Sequence, residues 1–238
     1  AVVSIMAANN EIGVLQPVAE IGALCRERGA WFHTDAAQAF GKIPLDVQDQ
    51  HIDLLSISGH KVYGPKGIGA LYVRRRPRVR LEPLFYGGGQ ERGMRSGTLP
   101  APLCIGLGKA AAVAAADMAA DAERLSALRA KFLDRLLSAV PEMRINGSME
   151  HRLPHNLNLT VPGVDAQELL AAVPDLSLST GSACSSAAVE PSYVLAALGI
   201  CDADARATLR VAFGRPTTAE EAMRAADLLA SALQAKSG

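Results

Sequence analysis

Lys61 ends the tetrapeptide Ser58-Gly59-His60-Lys61, which follows directly on an apolar run beginning at Leu54. A lysine held at the C-terminal edge of a strand can be desolvated, which lowers its pKa and lets the amine attack a carbonyl carbon. Taken alone, the fragment reads more simply as an exposed loop lysine. Lys66, in Gly64-Pro65-Lys66-Gly67, is a poorer choice because no strand precedes it. Ser58 and His60 add a hydroxyl and an imidazole suited to an anion. Asp35 ends Trp31-Phe32-His33-Thr34, where a carboxylate could pair with a protonated ring nitrogen. An ordinary turn aspartate is the simpler reading of that fragment, and Gln38 could reach the same ligand. Arg210 faces away from Leu209, Val211 and Phe213 on a strand, and a guanidinium grips a carboxylate in a two-pronged fork. Cys184 stands in Gly181-Ser182-Ala183-Cys184-Ser185-Ser186-Ala187, small residues with little to anchor them. Such a segment is expected to be mobile, so that a thiolate could enter a site and swing out again.

The elements that must position these groups can be read around them. Ala1–Met6 is an apolar strand, Asn9-Asn10-Glu11-Ile12-Gly13 a loop, and Pro17 the first turn of a helix stopped by Gly29. Trp31–Thr34, Leu54–Ser58 and Gly67–Val73 are further strands. Strands alternating with helical connections predict an α/β layer with parallel pairing and ligands beyond the strand ends. Gly87–Thr98 is a glycine-rich connector. It lacks the GxxxxGK[ST] pattern, which rules out a nucleotide-binding P-loop. A long Ala- and Leu-rich helix from 101 to 140, bent or broken midway, leads to a second region of different character. There Asn156–Val161, Leu176–Ser179 and Thr208–Phe213 read as strands, Asp165–Val173 and Pro191–Leu198 as helices. Thr218-Ala219-Glu220-Glu221 opens the last helix with a capping box. The expected division is residues 1–119, then a small α+β domain over 120–238. Because the chain opens inside an apolar strand, it is expected to be the C-terminal part of something longer.

Composition narrows the classes. Twenty-four Lys and Arg balance twenty-four Asp and Glu in 238 residues, which argues against general nucleic-acid binding. No CxxC pair or HExxH motif occurs, so no metal site is expected, and no uninterrupted apolar run reaches membrane-spanning length. Few cysteines in a large chain fit a cytoplasmic setting. Cys25, Cys104 and Cys201 read as buried structural cysteines. His33, His51, His151 and His155 read as imidazoles without a visible partner. The basic run Arg74-Arg75-Arg76 with Arg78 and Arg80 reads as a solvated face.

Together, Asp-x-x-Gln after one strand and Ser-Gly-His-Lys after the next resemble pyridoxal-phosphate enzymes of the class V aminotransferase superfamily. The loops at Asn9–Gly13, Ser58–Gly69, Gly87–Thr98 and Thr180–Tyr193 are similar to those of NifS/IscS-type cysteine desulfurases, in the same order, from residue 1 to about 220. The resemblance implies the type I fold of PLP-dependent transferases: part of a large domain with a mixed, mainly parallel sheet, then a small α+β domain. It implies that Lys61 carries the cofactor and shuttles protons, and that Asp35 pairs with the ring nitrogen. Gln38 would meet the phenolic oxygen, and Ser58, His60 and, across a homodimer, Thr98 would meet the phosphate. Asn10 and Arg210 would hold the carboxylate of L-cysteine. Cys184 would accept its sulfur and pass it to an iron–sulfur scaffold, as a transient cluster ligand there, or to a tRNA-thiolation acceptor. Other class V chemistry (a selenocysteine lyase or an aminotransferase) and a non-catalytic interaction fragment are the alternatives.

Overall fold

The computed structural model describes residues 1–180 and 192–237. Their contacts separate into two compact units, Ala1–Ala8 with Gln16–Met118, and Asn9–Leu15 with Ala119–Gly238.

In the first unit, β1 (Val2–Met6), β2 (Trp31–Asp35), β3 (Leu54–Ser58) and β4 (Gly69–Val73) form one sheet in that order. The helix α1 (Val18–Glu27) carries the chain from β1 to β2, and these strands pair in parallel, as do β2 and β3. Parallel neighbours need a crossover of a dozen or more residues. The connection from β3 to β4 is shorter and holds a 3-10 turn, Gly59–Val62, so β4 returns antiparallel to β3. That return is tight. A Cβ on Gly59 would lie 2.8 Å from Ile68 Cγ2 and 2.9 Å from the Pro65 carbonyl oxygen, and one on Gly69 2.5 Å from the Ile57 carbonyl oxygen. Glycine is what lets the chain turn directly at the end of β3.

The basic run needs correcting here. Arg74 is not solvated: it is buried, 3.0 Å from Asp53, and donates to the Ile52 carbonyl at 2.8 Å, to Gln48 and to the Val47 carbonyl. A guanidinium carries five donors, and here one pair of oppositely charged groups plus three oxygen acceptors meet its needs. Arg75, Arg76, Arg78 and Arg80 are exposed.

The helix α2 (Ala101–Ala139) runs for 39 residues without the break that the sequence suggests midway. Its residues include no proline beyond Pro102, in the first turn, where a missing N–H costs nothing. It is also long and apolar enough to cross a membrane by length and composition, a property that a search for uninterrupted apolar runs misses. Its C-terminal half is a core helix: Leu125, Leu128, Phe132, Leu133 and Leu136 are buried in the second unit.

That unit is built on an antiparallel sheet in the order β5-β6-β8-β7, from β5 (Arg144–Ile145), β6 (Asn156–Thr160), β7 (Ser179–Thr180) and β8 (Thr208–Ala212). Leu157 and Leu159 face the core with Leu209, Val211 and Phe213, and Phe132 meets Phe213 edge-on at 5.2 Å between ring centres. The helices are α3 (Ala166–Ala172), α4 (Tyr193–Ala197), α5 (Asp202–Arg206) and α6 (Ala219–Ser237). Asp165 caps α3 and Ser192 caps α4. Thr218 and Glu221 exchange the two bonds of a capping box ahead of α6.

Candidate functional site

In the first unit the polar side chains gather where β2 and β3 end. Asp35 is the last residue of β2 and is exposed; its Oδ1 accepts the Ala37 amide at 2.8 Å, which fixes the carboxylate on its own turn. Ser58 ends β3, and its hydroxyl is hydrogen-bonded to His60 Nδ1 at 3.0 Å. Lys61 follows within the 3-10 turn, exposed, between exposed His60 and buried Val62. Gln38 is half-buried in the turn after β2. Thr98 is exposed at the end of the glycine-rich connector, which is tied internally by Gly97 N–H to Gln90 Oε1 at 2.9 Å and Arg95 to the Gly97 carbonyl at 3.0 Å.

Two features of this unit were missed in the sequence. His33 is not partnerless: Ser4 Oγ lies 2.7 Å from its Nδ1 and Ser56 Oγ 3.0 Å from its Nε2. Ser4 and His33 are register partners, and Ser56, the partner of Asp35, lies two residues beyond Leu54 on the same face, so period-two alternation brings polar groups of three strands together. His51 likewise accepts from Arg26 at 3.1 Å. The second feature is Lys42. Gly41 beside it packs against Val62, so that a Cβ there would come within 2.7 Å of Val62 Cγ2. Burial pushes the Lys42 amine down to about 8, and the charge of Lys61 adds in the same direction.

In the second unit Asn10 and Arg210 come together. Arg210 donates through Nη1 to the Asn10 carbonyl at 3.4 Å and through Nε to Ser179 Oγ at 3.1 Å. It is half-buried, whereas its strand neighbours Leu209 and Val211 are buried in the core. Asn158, Arg210 and Ser179 are register partners across β6, β8 and β7, forming one row. Around that row lies a buried polar network. Asn146 donates to Asn158 at 2.7 Å and to Thr160 at 2.8 Å, and Thr160 and Thr208 share a bond of 2.7 Å. Arg152, bonded to Asn156 and to the Asn146 carbonyl, is pushed down to about 10 by burial, with Arg129 adding to the shift.

Cys184 lies outside the described residues. The other cysteines do not share one setting: Cys25 is buried, with its thiol pushed up by burial and by Asp53, whereas Cys104 is half-buried and Cys201 exposed. The expectation of three buried structural cysteines therefore holds for Cys25 alone. Among the described residues no cluster of three or more His, Cys, Asp or Glu side chains could hold a metal ion.

The family profile described as aminotransferase class-V matches residues 1–224. The chain belongs to this family. Class-V aminotransferases include the PLP-dependent cysteine desulfurases, and the mixed sheet is that of NifS-like transferases. The class-V chain is 54% identical over 229 residues to the cysteine desulfurase IscS of Rickettsia bellii, covering 96% of this chain and 56% of that protein. It thus spans a little over half the length of this relative. It superposes with a TM-score of 0.86 on a NifS-like protein from Rickettsia africae, at 30% identity, covering 98% of this chain and 62% of that one. A solved structure of SspA in complex with cysteine matches at a TM-score of 0.72 and 40% identity, over 89% of this chain and 58% of the other.

Proposed function

We propose that this chain carries the cofactor-anchoring and sulfur-accepting parts of a cysteine desulfurase, in which L-cysteine becomes L-alanine and its sulfur passes to Cys184. The observation that carries the reading is the placement of Asp35 and of the Ser58–Lys61 turn at the C-terminal ends of adjacent parallel strands. The donor set fits pyridoxal phosphate. Asp35 has one oxygen committed to Ala37, which aims the carboxylate and suits it to a ring N–H. Ser58 and His60 already touch and present a hydroxyl and an imidazole to a phosphate. The glycine-closed return beside them keeps both on the strand end. When bound, the cofactor supplies an acceptor for the electron pair left when the substrate Cα is deprotonated.

In this reading each residue has one task. Asp35 keeps a proton on the ring nitrogen, Gln38 orients the ring through its phenolic oxygen, and Thr98 adds a hydroxyl for phosphate across a homodimer. Lys61 anchors the cofactor through its amine and moves the Cα proton. Arg210 and Asn10 hold the substrate carboxylate. The Cys184 sulfur takes the substrate sulfur: the Cβ–S bond breaks, an S–S bond forms, and L-cysteine plus thiol gives L-alanine plus persulfide. Carbon is reduced and sulfur oxidised in the same exchange, so no outside electron donor is needed.

The persulfide sulfur then goes to an acceptor for iron–sulfur cluster assembly or tRNA thiolation, in a cytoplasmic setting. Residues 1–119 serve as part of the cofactor-binding domain and 120–238 as the small domain bearing Cys184. The match to a solved relative holding cysteine supports the substrate. The test is alanine release from L-cysteine by the purified protein, together with persulfide labelling. Turnover of L-selenocysteine alone, or amino transfer to a keto acid without persulfide, would overturn the reading.

A further inference from the structure

Glu11 sits next to Asn10 in the loop 9–15, yet it is turned inward and only 6% exposed. A buried carboxylate is costly unless it is partnered. Its Oε2 accepts the hydroxyl of Ser192 at 2.5 Å, and Ser192 is equally buried. The direction of that bond follows from the other partners of Ser192. Its oxygen accepts the Val194 and Leu195 amides at 3.1 and 3.3 Å, so the hydroxyl proton is what remains for Glu11.

The main chain of Glu11 is held as well. Its N–H donates to Asn9 Oδ1 at 2.8 Å, and its carbonyl accepts from Asn156 and Asn158 at 3.3 and 3.4 Å. The neighbouring carbonyl, that of Asn10, accepts from Arg210. The cap of α4 does not require this glutamate, because Ser192 reaches both amides with its own oxygen. What the carboxylate adds is a fixed separation between loop 9–15 and the start of α4.

We propose that Glu11 is a positioning residue for the carboxylate end of the substrate. It acts through Ser192 and its own main chain to hold Asn10 and, through the Asn10 carbonyl, the orientation of the Arg210 fork. The inference rests on the reading of Asn10 and Arg210 as the carboxylate-holding pair.

The test uses the full chain with its cofactor bound and takes L-alanine as the probe carboxylate. Its binding is measured by calorimetry beside KM and kcat for L-cysteine. Glu11→Ala should weaken L-alanine binding and raise KM by about tenfold, with kcat changed by no more than about twofold. Glu11→Gln, whose amide oxygen can accept the same hydroxyl, should stay within about twofold of wild type in both. Ser192→Ala should weaken L-alanine binding in the same direction, and Glu11→Ala with Ser192→Ala should be no worse than the stronger single change. A folded Glu11→Ala protein with wild-type L-alanine affinity and KM would overturn the proposal. Should Glu11→Ala not fold, wild-type L-alanine affinity in Ser192→Ala overturns it equally. Wild-type protein that binds L-alanine but releases none from L-cysteine sinks the desulfurase reading and leaves the positioning role to be read from binding.

Discussion

The two units hold their polar groups by different means. At the ends of β2 and β3, Asp35, His60 and Lys61 are exposed, and the backbone places them: strand register, a 3-10 turn and a glycine-closed return. Around Arg210 the placement comes from side chains. Asn146, Asn156, Asn158, Thr160 and Thr208 are all buried, and each is hydrogen-bonded. Buried polar groups are tolerated only when satisfied, so the second arrangement ties function to stability, while the first lets them part. Substituting the exposed groups should cost chemistry and little folding energy. Substituting the buried ones should cost both.

The sharpest trial of the first half of that contrast is Lys61→Ala. Turnover should fall by about 10²–10⁴-fold or more, the span of a lost proton-transfer group, with the thermal midpoint nearly unchanged. Borohydride reduction followed by peptide mapping should label Lys61 in the parent protein. Label on Lys66 would break the assignment. Cys184→Ser should keep the cofactor absorbance and form no persulfide, whereas serine at Cys25, Cys104 or Cys201 should leave persulfide labelling in place.

Arg210→Lys probes the second unit at its functional edge. Losing the fork should raise KM for L-cysteine by about ten- to a hundredfold, the worth of a charged hydrogen bond. Asn158→Ala goes deeper. It strips partners from Asn146 and from the Glu11 carbonyl, so chemical denaturation should show a loss of about 1–3 kcal/mol along with a raised KM. A stability loss without any change in KM would separate the two roles and break the comparison.

The smallest effect belongs to Lys42. Its amine titrates near 8 when folded and at its ordinary 10.5 when unfolded, so between those values the unfolded chain binds more protons. Stability therefore rises with pH across that window. Lys42→Met should raise the thermal midpoint by roughly 2–4 °C at pH 7, and the gain should shrink as pH climbs from 8 toward 10.5. A gain independent of pH would mean that charge burial is not its cause.

Much of the cofactor end was legible because local sequence and backbone place it. Ser58, His60 and Lys61 follow an apolar strand, and position relative to a strand end can be read along one line of text. The antiparallel direction of β4 follows from the length of its connection and fits the mixed, mainly parallel sheet that the resemblance implies, although strand alternation by itself suggested parallel pairing. His33 was misread because its partners, Ser4 and Ser56, lie on two other strands and become neighbours only through register. Arg74 was misread because neighbouring arginines suggested solvent, while Asp53 is brought to it by the sheet. Glu11 was legible as part of the Asn9–Gly13 loop but not as a buried group, because its partners Asn156, Asn158 and Ser192 are more than 140 residues away. The break expected midway along the 39-residue helix is absent because nothing there interrupts the hydrogen-bond ladder: its one proline, Pro102, lies in the first turn.

Loop 9–15 has a consequence for the order of events during synthesis. It is made well before the segments it packs with, Ser192 following Glu11 by 181 residues. At about 5–20 residues per second, that interval is roughly 10–35 s. Strands β1 to β4 have all been made by Val73, early in that wait, whereas the second unit cannot close until Ser192 and β8 have emerged. A segment that must wait so long for its partners is helped by groups content in water, and Asn9, Asn10 and Glu11 are such groups. Polarity here keeps a piece of chain in reserve until its distant partners exist.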